Sequence, residues 1–171
     1  MGQNNKSRAM RRRFFLTVLT LAICAASGTG ACAQDRLSKY QTQYDAEENP
    51  AKRAKILGQM GPLEVSAART SFKADRDEQA LDILTHYRDL VQQTMTALTG
   101  SGVDAVKRPA GFKELQIGLR VSVRQLDDLI MTIPVDKRPF FRAVRSDLAD
   151  TQNKLIDLLF PTSDKSLTKK E

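Results

Sequence analysis

The chain has 171 residues, 41% of them hydrophobic, and carries 27 basic against 20 acidic side chains, for a formal net charge of +7. Five of the cations and none of the acids precede Gln34, so the rest of the chain carries only +2, which argues against a nucleic-acid partner. Both cysteines, Cys24 and Cys32, also precede Gln34. The remaining chain therefore has no disulfide, no thiol nucleophile and no cysteine ligand for a metal.

Residues 1–33 have the three parts of a secretory signal peptide. Basic residues up to Arg13 precede an apolar run of about 13 residues, which is shorter than the ~20 residues that a membrane-spanning helix needs. Small side chains follow at Ala31 and Ala33, the two positions that a signal peptidase reads. The sequence predicts cleavage after Ala33, with Gln34 as the first residue of a periplasmic or secreted protein.

Three other interpretations of this segment stay open. The apolar run could be kept as an N-terminal anchor, although its length argues against that. Residues 12–16, RRFFL, fit the core of a twin-arginine signal, which would mean export after folding instead of the general secretory route. Acylation of Cys32, which follows Ala31, would make the protein a lipoprotein.

The first predicted elements follow this leader. Residues 34–49 are a polar lead-in or a short helix, and Asn49-Pro50 then predicts the start of a helix, with Asn49 as its cap and Pro50 in its first position. A kink or a break is expected at Gly61-Pro62, because proline lacks an amide donor. The expected apolar face of this helix consists of Ile56, Met60, Leu63 and Ala67.

Three further helices are predicted from apolar positions that repeat in alternating steps of three and four residues. Residues 99–102 end the first of these helices, Pro134 ends the second, and Asp136 is expected to cap the third. The three stripes are Ala80, Leu84, Tyr87, Val91, Thr94 and Leu98; Phe112, Leu115, Leu119, Ser122, Leu126, Leu129 and Ile133; and Phe141, Val144, Leu148, Thr151, Leu155 and Leu158.

These elements predict an all-α fold. It is a small bundle of four main helices within residues 50–161, preceded by a short N-terminal helix. The charged residues 162–171 are expected to form a disordered tail.

Residues that could carry catalysis or hold a metal are sparse. His86 is the only histidine, so a zinc site outside the leader would depend almost entirely on carboxylates. The acids Asp75 and Asp77 lie at a helix start, where helix capping and the helix dipole account for them. Asp127 and Asp128 diverge around their helix and do not face one site. The sequence predicts no catalytic residue, no cofactor and no metal.

Six cations form the candidate surface for an anionic partner, whether a lipid headgroup, a polymer or an acidic protein. Asp136, Asp147 and Asp150 lie among them, so a solvated helix face with internal ion pairs is the other interpretation. The six are Lys107, Arg108, Lys137, Arg138, Arg142 and Arg145.

The segment ARTSFKADRDEQALDILTHY, residues 68–87, resembles the turn between the helices of a tetratricopeptide repeat. Phe72 precedes Ala80 by eight residues, as the packing residues do in many such hairpins. Asp75 replaces the usual turn glycine, and no second copy follows at the repeat's period of about 34 residues. The resemblance implies a helical hairpin and partner binding, without a catalytic site.

A broader resemblance is to exported all-helical proteins of unknown function from acidobacterial-type soil bacteria. It is carried by VKRPAGFKELQIGLR, residues 106–120, and by IPVDKRPFF, residues 133–141. It implies export and a helical fold, and no known activity. We therefore expect a non-enzymatic exported domain that binds a protein partner or itself in the cell envelope. The alternative is a module that binds anionic lipid or polymer through the six cations.

Overall fold

The computed structural model of the chain describes residues 30–161, and the surroundings of side chains from residue 34 onward. This part of the chain contains five helices and no strand, which confirms the predicted all-α bundle of four main helices and a shorter first one. The predicted signal segment up to residue 29 and the predicted tail lie outside the described residues. The helices are α1 (Gly30–Ala46), α2 (Pro50–Lys73), α3 (Asp77–Gly100), α4 (Phe112–Thr132) and α5 (Arg138–Leu159).

Helices α2 to α5 form a four-helix bundle in which α2 and α5 each pack against both α3 and α4. Helices α2 and α4 run parallel, because Ala51 at the start of α2 lies against Gly111 at the start of α4. Helices α3 and α5 also run parallel, because Lys137 just before α5 pairs with Asp77, the first residue of α3. The loop of residues 101–111 therefore joins two helices that lie diagonally across the bundle.

The predicted stripes of α3 and α4 are buried in full and supply much of the core. The α5 stripe is buried except for Leu158, which lies in the last turn of its helix. Leu158 shares the wall of a surface cleft with Val103 and Val106, so it remains open to solvent. Each large apolar side chain that is fully buried contributes roughly 1.5–3 kcal/mol to the hydrophobic stabilisation of the fold.

Helix α2 turns a different face to the core than the sequence predicted. Of the expected face only Met60 is buried, while Ile56, Leu63 and Ala67 remain partly exposed. The expected break is also wrong, because the helix continues through Pro62 to Lys73. The observed buried stripe repeats in steps of three and four residues and consists of Ala54, Leu57, Gly61, Glu64, Ala68 and Ser71.

Small residues in this stripe allow α2 and α4 to touch through their backbones. A Cβ atom placed on Gly118 of α4 would lie 2.4 Å from both the Cα and the carbonyl oxygen of Gly58 in α2. Contacts that short do not occur between real atoms, and the atoms on both sides belong to helical backbone. Glycine at position 118 is therefore a condition for this helix crossing.

The sequence predicted a capping side chain at the starts of α2 and α5, and the structure shows one only at α2. Asn49 caps α2 as predicted, because its Oδ1 accepts from the amides of Ala51 and Lys52 at 3.0 and 3.2 Å. The predicted cap at Asp136 is wrong, since Lys137 occupies the position before α5 and no side chain caps it. The carbonyl of Pro134 instead accepts from the amides of Lys137 and Arg138, so the preceding turn satisfies these donors.

The turn between α2 and α3 has an aspartate in the left-handed region. Asp75 has a φ of 56°. Its amide donates to the Phe72 carbonyl at 3.1 Å, and the amide of Arg76 donates to the Ser71 carbonyl at 3.0 Å. These two bonds form the helix ending that usually places glycine at this position. Aspartate tolerates the conformation better than most residues do, because its short polar side chain bonds locally.

The first helix is attached to the bundle through Tyr44. This side chain is buried, and its hydroxyl lies 2.8 Å from Thr94 Oγ1 in α3. The Arg53 guanidinium of α2 lies 4.3 Å from the centre of its ring, a cation–π contact. Residues 34–46 therefore form part of a helix that docks on α2 and α3.

Candidate functional site

The six predicted cations lie at two ends of the bundle. Lys107 and Arg108 belong to the 101–111 loop, where α3 ends and α4 begins. The other four lie at the opposite end, just before or within the first turns of α5. Because the helices between the two ends have 21 to 24 residues, the groups are separated by roughly 30 Å at 1.5 Å per residue. The six cations therefore form two separate groups and not one continuous patch.

Most of these cations already have a partner. Lys137 pairs with Asp77, which raises the pKa of the lysine, and Arg145 binds both carboxylate oxygens of Asp127 at 2.8 and 3.0 Å. Arg138 donates to the carbonyls of Ile133 and Met131 at 2.8 and 3.3 Å. These bonds hold the start of α5 against α3 and against the end of α4.

Arg142 differs from its neighbours because it is exposed and makes no ion pair with a described residue. It lines a shallow cleft of about 490 Å³ between α4 and α5, together with the apolar side chains of Ile130 and Met131. Asp127 and Arg145, which pair with each other, form another part of the wall. The cleft therefore offers an apolar surface beside one available cation.

Three exposed apolar side chains lie where α4 passes into α5, and one of them, Met131, also lines this cleft. Met131 and Val135 each expose 74% of their surface and Phe140 exposes 62%, all within the turn from α4 to α5. We call this set, Met131, Val135 and Phe140, the α4–α5 corner. Arg138 supports it, because its two hydrogen bonds hold the backbone of the turn.

The opposite end of the bundle also exposes apolar side chains, but they are spread over two segments. Phe160, 73% exposed, follows α5, and Val106 lies in the 101–111 loop. Two clefts of about 390 and 270 Å³ meet at this end, and both are lined by Val103 and Phe112. The Asp104 side chain holds the loop by accepting from the amides of Val106 and Lys107.

The bundle interior contains a polar cluster that the sequence analysis did not identify. It consists of Glu64 on α2, Tyr87 on α3 and Ser122 on α4. Ser122 donates to the Gly118 carbonyl at 2.9 Å, so the Tyr87 hydroxyl, 3.3 Å from Ser122 Oγ, is the donor of their shared hydrogen bond. Both hydroxyls lie over Gly61, where a Cβ would come within 2.3 Å of each.

Glu64 is the charged member of this cluster. Only 5% of its surface is exposed, and it makes no hydrogen bond or ion pair with a described residue. Burial raises its pKa to about 7. Burial, together with the nearby charge of Glu64, also raises the pKa of Tyr87 above its usual value, so the tyrosine stays protonated.

A signal for Glu64 was present in the sequence. Positions 54, 57, 61, 64, 68 and 71 follow the same alternating steps as the other three stripes. They were overlooked because the stripe contains a glycine, a serine and a glutamate, while Ile56 and Leu63 suggested the neighbouring face. Both faces repeat in steps of three and four residues, so periodicity did not decide between them, and the large apolar residues indicated the wrong one.

The residues of the predicted cleavage site lie in α1, which extends across the bond from Ala33 to Gln34. Cleavage after Ala33 stays a prediction. In residues 30–161 no helix is both long and apolar enough to span a membrane.

The described residues contain no group of three potential metal ligands, and His86 is exposed on α3.

Comparisons with known proteins found no relative of this chain. No family model matches it, and neither a curated protein nor a solved structure is significantly similar to it.

Proposed function

We propose that this chain is an exported, non-enzymatic helical domain that binds a protein partner through the α4–α5 corner. The observation that carries the proposal is the exposure of Met131, Val135 and Phe140 within ten residues of one turn. Clustered apolar side chains on a surface are typical of interaction sites, whereas isolated ones are ordinary.

The adjoining cleft suggests the chemistry of the partner. Ile130 and Met131 offer an apolar surface, and Arg142 offers a cation that no described residue neutralises. A partner segment with an apolar side chain followed by an acidic one fits both features. Aromatic and arginine side chains are the residue types that most often dominate binding energy at interfaces, which suits Phe140 and Arg142.

The leader supports export to the cell envelope. Its basic start, short apolar run and small residues at Ala31 and Ala33 are the parts of a cleavable signal. Release after Ala33 gives a periplasmic or secreted domain, and acylation at Cys32 gives a lipoprotein. Mass spectrometry of the N-terminus of the exported protein distinguishes a start at Gln34 from an acylated Cys32.

The corner is tested by capturing partners with the tagged exported protein and comparing two variants. Phe140→Ser removes the aromatic ring at the corner, and Phe160→Ser removes a ring of similar exposure, 73% against 62%, at the other end of the bundle. We expect Phe140→Ser to weaken binding of a recurrent partner by at least about tenfold, because an interface aromatic contributes about 2 kcal/mol or more. Phe160→Ser should leave it unchanged. Equal binding by both variants contradicts the proposal.

The second candidate is docking on an anionic lipid or polymer surface. It is favoured by the position of Arg142, with Lys137, Arg138 and Arg145 nearby, beside apolar side chains that could enter a headgroup layer. Sedimentation with phosphatidylglycerol vesicles tests it, with Arg142→Gln as the variant and Arg108→Gln as the control at the opposite end. Binding that falls with salt and with Arg142→Gln alone would support lipid docking in place of a protein partner.

A further inference from the structure

Helix α2 has a weak segment at residues 58–64. Pro62 has no amide hydrogen, so the carbonyl of Gly58 lacks the donor that position 62 would otherwise supply. Gly58 and Gly61 add backbone freedom in the same two turns. The Gly58 carbonyl lies against Gly118 of α4, so this segment is also the tightest contact between the two helices.

The groups around Glu64 provide no cation to balance its charge. From α3, Tyr87 lies close enough for the charge of Glu64 to raise the pKa of the tyrosine, and its hydroxyl donates to Ser122 of α4, which itself donates to Gly118. On α2 itself, the nearest following cation is Arg69, which donates to the Gln125 carbonyl of α4 at 3.2 Å. Burial raises its pKa, and Glu64 makes no ion pair with a described residue that would lower the pKa again.

We propose that Glu64 is a protonation switch that holds α2 tightly against α4 when its carboxyl is neutral and loosens residues 58–64 when it is ionised. A neutral carboxyl fits this largely buried position at moderate cost, whereas a carboxylate there loses much of its hydration and gains no ion pair with a described residue in return. The segment that carries Glu64 lacks one backbone hydrogen bond, so ionisation of Glu64 should loosen this segment more readily than the rest of the helix interior. This inference rests on the bundle interior and is independent of the proposed partner site.

The direction of the pH effect follows from the pKa values in the two states. The carboxyl has a pKa of 4.5 in the unfolded chain and of about 7 in the bundle. Between these values the folded state holds the proton more tightly than the unfolded state does. The stabilisation is complete below the unfolded value and is lost as the pH rises through about 7.

Urea unfolding from about pH 5 to about pH 8 tests the switch, with Glu64→Gln as the variant and Glu78→Gln, exposed on α3, as the control. For the wild type and the control we expect the unfolding equilibrium constant to rise on the order of 50-fold over this range. Glu64→Gln should remove most of that rise. Every other titratable group except the substituted one is present in all three proteins, so the difference between variants isolates Glu64. An equal rise in Glu64→Gln overturns the proposal.

Two further measurements keep the test decisive if Glu64→Gln folds poorly. NMR titration of the Glu64 carboxyl carbon in the wild type should give a midpoint near 7, and a midpoint near 4.5 overturns the switch. Hydrogen exchange, corrected for its intrinsic pH dependence, should show amides of residues 58–64 losing protection at high pH before those of α3. Uniform loss across all helices would indicate global destabilisation without a local opening and would also overturn it.

Discussion

Helices α2 and α4 run parallel and touch through backbone atoms at Gly58 and Gly118, whereas α3 and α5, which also run parallel, meet partly through long charged side chains. Arg88 bridges to Asp147, and a shallow cleft of about 230 Å³ opens between α3 and α5 near Met95. Glycine permits the backbone contact between α2 and α4, because it has no side chain to set the distance between the helices. The stability of the α2–α4 contact should therefore be sensitive to small changes in side-chain volume, whereas the α3–α5 contact should tolerate them.

Gly118→Ala should have the largest effect. The added methyl group would overlap the Gly58 backbone, which cannot move away as a flexible side chain can, and we expect a loss of about 3 kcal/mol in the free energy of unfolding. Gly100→Ala is the matched control, because a Cβ there meets no atom within 4 Å and alanine favours the helix. Urea denaturation of both variants measures the difference. A similar stability for both would show that the α2–α4 crossing adapts readily.

Tyr87→Phe should have an intermediate effect, because the Tyr87 hydroxyl links α3 to the α2–α4 crossing through Ser122. Removing this donor leaves Ser122 bonded only to Gly118, and we expect a loss of about 1 kcal/mol. Tyr40→Phe, on a partly buried ring of α1 for which no hydrogen bond is found among the described residues, should cost much less. Thermal or urea unfolding compares the two. If the two variants lose the same amount of stability, the buried hydrogen bond of Tyr87 contributes little to the free energy of unfolding.

Asp147→Asn should have the smallest effect and tests the second helix pair. Its bond to Arg88 is 3.4 Å long and lies near the surface, and Arg88 keeps a second partner in Asp89. We expect a loss of about 0.5 kcal/mol or less, which should disappear at high salt. A loss as large as that of Gly118→Ala would mean that α3 and α5 depend on this ion pair.

The buried faces of α3, α4 and most of α5 could be read from the sequence, because large apolar residues mark them at every step. The α2 face could not be read in the same way. Its stripe consists of small and polar residues, and only the presence of α4 at backbone distance explains why Gly61 and Glu64 are buried. Local chemistry was sufficient at Asn49, where a side chain bonds the next turn, and insufficient at Asp136, where the preceding turn supplies the bonds.

The candidate surface could be predicted from the sequence less well than the buried helix faces could. The six cations and the helix that separates them into two groups were found in the sequence, but the pairing of Lys137 with Asp77 and of Arg145 with Asp127 depends on how the helices pack. The exposure of Met131, Val135 and Phe140 likewise depends on where the corner projects.

By itself the sequence determined the helices, the apolar stripes of α3, α4 and most of α5, and the features of the leader, because these depend on neighbours within one or two helical turns. The tertiary structure decided which helices run parallel, which glycine lies at a crossing and which glutamate is buried. Those outcomes depend on contacts between residues tens of positions apart, which helical periodicity does not encode.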